Sequence, residues 1–274
     1  MFKTLSQLGS AGFALVAASI AIMALDSSPS FAESDEEKGR GIASEADRRD
    51  YGWRSSETAL KMILRNRHGQ TSTRELTVRA LETNDPGLGD RSLIVFSSPR
   101  DVDGTAFLSH TKIVEPDDQW LYLPALKRVK RISSSNKSGP FLGSEFSFED
   151  LTSQEVDKYN YKWLRDEPLG GMPCFVVERY PLYENSGYTR HIVWTDQAEY
   201  RPMKVEFYDR KSALLKTLVF EDYHQYEQKY WRALTMTMTN HQSGKSTILR
   251  FEDYTLSLDI DESTFTPGRL RMAR

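Results

Sequence analysis

From residue 56 onward, apolar and polar positions alternate with a period of two, the signature of half-buried strands. Leu60, Met62 and Leu64 alternate with Ala59, Lys61 and Ile63. After the turn Asn66-Arg67-His68-Gly69, Leu76, Val78 and Ala80 alternate with Glu75, Thr77 and Arg79. These two runs read as a hairpin with one buried face. Residues 93–96 are continuously apolar, which predicts a strand covered on both faces. Further strands are expected over 105–113, 120–123, 128–132, 159–166, 174–180, 188–195, 203–208, 214–223, 231–240 and 246–256. Short polar turns such as Asn185-Ser186-Gly187 and Asp209-Arg210-Lys211 separate most of them. About a dozen strands at this spacing predict an all-β sandwich or barrel, with consecutive strands antiparallel in a meander.

Two places depart from that period. Residues 39–49 carry Ile42 and Ala46 at helical spacing and read as one short amphipathic helix that stops near Gly52. Such a helix is too short to stand alone in water and must lie on an apolar surface. The acidic residues before it, 33–37, are expected to be mobile. Residues 133–143 are rich in Ser, Gly, Asn and Lys and read as a flexible loop. Residues 146–151 form a candidate helical turn capped by Ser144 or Ser147. The expected class is therefore mainly β, with a small α component (α+β). A strongly curved sheet with so few helices has a concave apolar side. The N-terminal helix and residues 141–151 are the segments available to plug it, and such a cavity suits a ligand with apolar chains.

The first 32 residues stand outside this pattern. Lys3 is followed by an apolar core over 11–25, and Ser30-Phe31-Ala32 offers small residues where a signal peptidase reads. Residues 1–32 are expected to be a signal peptide cleaved after Ala32, leaving 33–274 as a single exported domain. The apolar run is short of the roughly 20 residues of a transmembrane helix. With no cysteine near the cleavage site, a lipid-modified N-terminus is not indicated. The sole cysteine, Cys174, cannot form an internal disulfide, so burial must hold the fold, and a periplasmic location is expected. A net charge of −3 argues against nucleic acid as a partner.

Catalytic patterns are missing. His68, His110, His191, His224 and His241 show no metal-ligand spacing, and each reads as a structural or surface histidine. Cys174 with His191 makes a nucleophile and base only on paper, because nothing local lowers the thiol pKa. There is no GxSxG elbow. Adjacent carboxylates such as Glu221-Asp222 point to opposite faces of a strand. No catalytic residue, metal or cofactor is expected.

The aromatic and basic residues remain. Trp120, Tyr122, Phe141, Phe146, Phe148, Trp163, Phe207 and Phe220 are candidate cavity linings, with core packing as the alternative for each. Lys127, Arg128, Lys130 and Arg131 form a basic cluster on a predicted hairpin. It is either a solvated edge that blunts aggregation or a dock for anionic headgroups or an acidic partner.

Residues 120–133 (WLYLPALKRVKRIS) and 141–151 (FLGSEFSFEDL) resemble the outer membrane lipoprotein-sorting protein family, in its LolA-like, transporter-associated branch. Residues 194–240, with FYDR and an M-x-M strand, are similar to the second half of that fold. The resemblance implies an unclosed antiparallel β-barrel, or half-barrel, covered here by the N-terminal helix and a short helical flap. It also implies a non-enzymatic periplasmic carrier for lipid or lipoprotein acyl chains. An inner-membrane transporter of the resistance-nodulation-division (RND) type is the implied partner, with peripheral membrane contact and a monomeric state. The alternative is an envelope-stress sensor or transporter adaptor that binds a protein partner.

Overall fold

The computed structural model describes residues 33–273 apart from 84 and 86; the expected signal segment, 1–32, lies outside the described residues. Helix α1 spans Asp35–Asp50 and starts earlier than its apolar spacing suggests. Ser34 Oγ accepts from Glu37 N at 3.1 Å, and the Glu37 carboxylate accepts from Ser34 N at 3.0 Å. This capping box, with three acidic residues in the first turn and Arg48 and Arg49 in the last, suits the helix dipole at both ends. The acidic run expected to be mobile is thus the first turn of the helix. No helix among the described residues is long and apolar enough to cross a membrane.

The strands are β1 (Ser55–Arg65), β2 (Thr71–Leu81), β3 (Leu88–Ser98), β4 (Ala106–Lys112), β5 (Asp118–Leu123) and β6 (Arg128–Ile132), followed by β7 (Tyr159–Leu169), β8 (Met172–Pro181), β9 (Tyr188–Asp196), β10 (Pro202–Asp209), β11 (Leu214–Tyr226), β12 (Tyr230–Asn240), β13 (Ser246–Phe251) and β14 (Thr255–Leu256). They form one antiparallel sheet in the order β6-β5-β4-β3-β2-β1-β13-β12-β11-β10-β9-β8-β7, with β14 beside β1. Two meanders therefore meet at a single seam, where Leu60 faces Phe251 and Met62 faces Leu249. Strands β6 and β7 are the free edges, so the barrel is unclosed, as the family resemblance implies. The strand expected over 246–256 is divided: Glu252 N still donates to Ala59 O at 2.8 Å, and residues 253–254 then interrupt the ladder before Thr255 and Leu256 pair with β1 again.

Strand parity sorts the apolar residues into two cores. The concave core contains Leu60, Met62, Leu76, Ile94, Phe96, Phe107, Phe207, Leu218 and Leu249. On the convex side, Leu93, Val95, Ala106 and Leu108 pack beneath Phe265 and Leu270 of the C-terminal segment. His110 Nε2 lies 2.7 Å from the Phe265 carbonyl oxygen and fixes that segment to β4. This explains the continuous apolar run at 93–96: both faces of β3 are covered.

The connection from β6 to β7, residues 133–158, has to travel from one free edge to the other. It does so across the concave side, bonding to one strand after another. Arg74 of β2 donates to the Leu142 carbonyl at 2.5 Å, and Glu145 N donates to Thr247 Oγ1 of β13 at 2.9 Å. Asn240 of β12 donates to Glu145 Oε2 at 2.7 Å, and Gln119 of β5 donates to the Phe148 carbonyl at 2.9 Å. Ser147 provides a capping box for the 3₁₀ turn Phe148–Leu151, as one of the two candidate caps predicts. The loop read as flexible is largely exposed but is anchored at two buried positions, Lys137 and Phe141. Phe141 is fully buried against Phe96, Phe107 and Phe148, with ring centroids 5.3–5.8 Å away. Lys137 is also buried and donates to the Asp117 carbonyl.

Candidate functional site

Between α1, the concave face of the sheet and the crossing segment lies a cavity of about 1280 Å³. One wall is aliphatic, from Leu60, Met62, Leu76, Val78 and Ile94 on β1–β3. The opposite wall comes from Val193, Val205, Phe207, Leu218, Phe220 and Met236 on β9–β12. Helix α1 closes a third side with Ile42, Ala43 and Ala46, and the crossing segment adds Phe146 and Leu151.

Helix α1 comes this close because of Gly39. A Cβ at that position would lie 2.8 Å from Trp163 N and 3.0 Å from Lys162 backbone atoms. Lys38 also places its Nζ 3.4 Å from the centroid of the Trp163 ring.

The aromatic residues proposed from the sequence are distributed over three places. Phe146, Phe207 and Phe220 line the cavity. Phe141 and Phe148 pack in the concave core behind it. Trp163 lies under α1 and donates from Nε1 to Asp166 at 2.9 Å. Trp120 and Tyr122 belong to the convex cluster beneath the C-terminal segment, on the side of the sheet away from the cavity. On β5 it is Gln119 and Leu121 that face inward, because the side chains of a strand alternate between its faces.

The basic cluster is on the free edge. Lys127, in a left-handed turn, and Arg128, Lys130 and Arg131 on β6 are all exposed. Arg131 pairs with Asp118, while no ion pair reaches Lys127, Arg128 or Lys130 among the described residues.

The cavity also has polar elements that periodicity does not reveal. Arg179 on β8 donates from Nε to His191 Nδ1 at 3.1 Å and from Nη2 to Gln154 Oε1 at 3.1 Å. Tyr159, Tyr161, Tyr183 and Tyr188 surround this pair on the cavity wall. His191 is buried, and burial together with the Arg179 and Lys216 charges holds its pKa well below the usual histidine range, so the ring is neutral. Asp90 and Glu155 also line the cavity. Burial, with the nearby Glu82 and Asp50 charges, pushes Asp90 up to about 6, and burial, with the Asp90 charge, pushes Glu155 up to about 7.

Cys174 is fully buried in a separate cluster with Val176 and Trp194, and burial raises its thiol pKa. No cluster of His, Cys, Asp or Glu among the described residues is arranged to hold a metal ion.

A family model described as "Uncharacterized protein"-like matches residues 89–272. No curated protein matches the chain. Among solved structures, the chain is similar to an outer membrane lipoprotein-sorting protein domain from Vibrio parahaemolyticus, with 54% identity, a TM-score of 0.84, and coverage of 86% of this chain and 99% of that one. A DUF1329 family protein from Desulfovibrio piger matches with 27% identity and a TM-score of 0.81, covering 86% of this chain and 99% of that one. A LolA superfamily protein from Nitrosomonas europaea shares the fold, with a TM-score of 0.67 at 21% identity, over 83% of this chain and 97% of that one.

Proposed function

Because the chain belongs to the outer membrane lipoprotein-sorting protein family, with its LolA-like fold, we propose that it is a non-enzymatic periplasmic carrier that shields the acyl chains of a lipid or lipoprotein. The observation that supports this reading is the cavity. At about 1280 Å³ it exceeds the roughly 300–1,000 Å³ of ordinary small-molecule pockets, and most of its wall is aliphatic or aromatic. Protein interiors are otherwise packed with few voids larger than a water molecule. Burial of one CH₂ yields about 0.8 kcal/mol, so a chain of about 14 carbons supplies roughly 11 kcal/mol before ordering costs. Few polar contacts are then needed to retain it.

In this reading residues 1–32 are removed on export, 33–274 act as one monomeric domain, and no nucleic acid or cofactor takes part. The test is native mass spectrometry of protein released gently from the cell envelope. Copurified lipid or acylated protein is the expected result. A protein that is empty and also refuses acylated probes would sink the proposal.

A second reading, an envelope-stress sensor or an adaptor for an RND-type transporter, draws on the exposed cations of β6. In it the cluster docks an acidic protein surface or anionic headgroups. Replacing Arg128 and Lys130 with Ser should leave Tm unchanged, since both are exposed on an edge strand. Binding to an inner-membrane partner, or to phosphatidylglycerol vesicles, should fall. Unchanged binding would reduce the cluster to a guard against edge-to-edge pairing.

A further inference from the structure

Five arginines line the cavity: Arg48, Arg49, Arg179, Arg201 and Arg232. Four of them have a carboxylate partner. Arg48 and Arg49 share Glu45 at 2.7 Å, Arg201 meets Asp196 at 2.7 Å, and Arg232 meets Asp50 at 2.5 Å. Arg179 has none among the described residues. Its protein partners are neutral: His191 Nδ1, Gln154 Oε1 and the face of Tyr159, whose centroid lies 4.7 Å from Cζ. Gln154 Oε1 is also occupied by the Tyr159 hydroxyl, which donates to it at 2.7 Å. Nη1 has no protein acceptor among the described residues. Arg179 is half-buried, so the free face of its guanidinium is open to an anion in the cavity.

A second, independent feature lies beside it. His191 is only 2% exposed, with the rings of Tyr188 and Phe207 each 4.9 Å away. Because Nδ1 accepts from Arg179 and the ring is neutral, the ring proton is on Nε2. That Nε2 is buried with no hydrogen-bond partner in the protein. Nε2 itself has almost no accessible surface, so the ring acts on a ligand through Arg179, whose Nε it holds. An unpaired cation and an unsatisfied N–H thus sit together where the aliphatic walls end.

We propose that the ligand of this cavity is an acidic amphiphile: an apolar chain laid along Phe207 and Phe220, with a carboxylate or phosphate head that pairs with Arg179 beside His191. The inference rests on the carrier reading above and narrows it to acyl ligands that bear negative charge. Arginine suits the role because its planar fork takes two oxygens of one head, which an ammonium does not.

The test measures affinity by isothermal titration for two probes of the same chain length, palmitate and methyl palmitate, with phosphatidic acid against diacylglycerol as a second pair. The wild-type protein should prefer the acid of a pair by roughly 10- to 100-fold, the range of a charge-assisted hydrogen bond. Preference confined to palmitate identifies a fatty acid, and preference confined to phosphatidic acid identifies a phospholipid. Arg179→Gln should abolish the preference and leave methyl palmitate affinity in place, while Arg179→Lys should retain part of it. Equal affinity of wild-type protein for acid and neutral probes in both pairs overturns the proposal and spares the carrier reading. So does a preference that persists in a folded Arg179→Gln variant. Failure to bind any of the four probes overturns both. The wild-type comparison decides even if a variant does not fold.

Discussion

Lys216 of β11 places its Nζ 2.6 Å from Asp150 Oδ2 of the crossing segment, and each side chain is only 4% exposed. Asp150 also accepts from Ser147 N at 2.6 Å and from the Tyr188 hydroxyl at 2.8 Å. One carboxylate therefore joins β11, β9 and the crossing segment. Asp150→Ala should destabilise the fold by about 3–5 kcal/mol, because it leaves a buried ammonium without its partner. Replacing both residues with apolar ones of similar size should cost less than either single change. Urea denaturation of the three variants checks this. A mild single-variant effect would mean that water reaches Lys216.

Phe141 decides whether the crossing segment moves. A segment that swings aside would tolerate Phe141→Ala, whereas this ring is fully buried among three other phenylalanines. A loss of about 3–5 kcal/mol is expected on cavity formation. Deletion of residues 138–143 should likewise lower Tm rather than merely hasten cargo exchange.

Gly39 and Gly41 should respond in opposite ways. Both lie in α1, where Ala normally gains about 1 kcal/mol over Gly. At Gly41 the nearest atom to an added Cβ is a Glu33 side-chain oxygen at 3.9 Å, so Gly41→Ala should stabilise. At Gly39 the methyl would meet backbone at 2.8 Å, so Gly39→Ala should push the helix off β7, lower Tm and loosen the cavity. Equal Tm changes for the two variants would contradict this close packing.

Acid should stabilise the protein moderately. Asp90, Glu155 and Glu149 all titrate higher in the fold than the ordinary range near 4: about 6 for Asp90 and about 7 for each glutamate. The charges around Asp90 are Glu82 and Asp50, and those around Glu155 are Asp90, Asp47, Asp117 and Lys158. Asp150 and Lys216 face Glu149. Between about pH 4 and pH 7 the unfolded chain gives up these protons first, so stability falls as pH rises through that window. After solvent screening, the loss from Asp90 and Glu155 together is about 1 kcal/mol, or roughly 2–4 °C in Tm. The Asp90→Asn, Glu155→Gln double variant should flatten part of the slope between pH 5 and pH 8. An unchanged slope would place its origin elsewhere.

The strands were legible because a half-buried sheet writes its two faces into alternate residues. What alternation does not carry is which face is concave. Trp120 and Tyr122 look like cavity wall until the C-terminal segment, with Phe265 and Leu270, is found covering the other side of β3–β5. The packing of residues 133–143 was hidden for a related reason. Composition registers the serines and glycines, but the burial of Phe141 follows from a chain that must return across the sheet. Arg179 did leave a trace: it shares the inward parity of Val177, where an arginine interrupts an apolar face. Its partner His191 is the residue directly opposite on β9, a register that spacing alone does not define.

The seam between β1 and β13 has a consequence for biosynthesis. A chain made from its N-terminus pairs β1 with β2 at once, but the β13 strand that covers the other edge of β1 comes long afterwards. Until then β1–β6 form a half-sheet with a naked edge and an uncovered greasy face, the kind of species that associates with its neighbours. Its C-terminal covering over Leu93 and Leu108 arrives later still. Pairings so distant along the chain also form slowly. The interval between the emergence of β6 and that of β13 is therefore when this protein most needs protection by a chaperone.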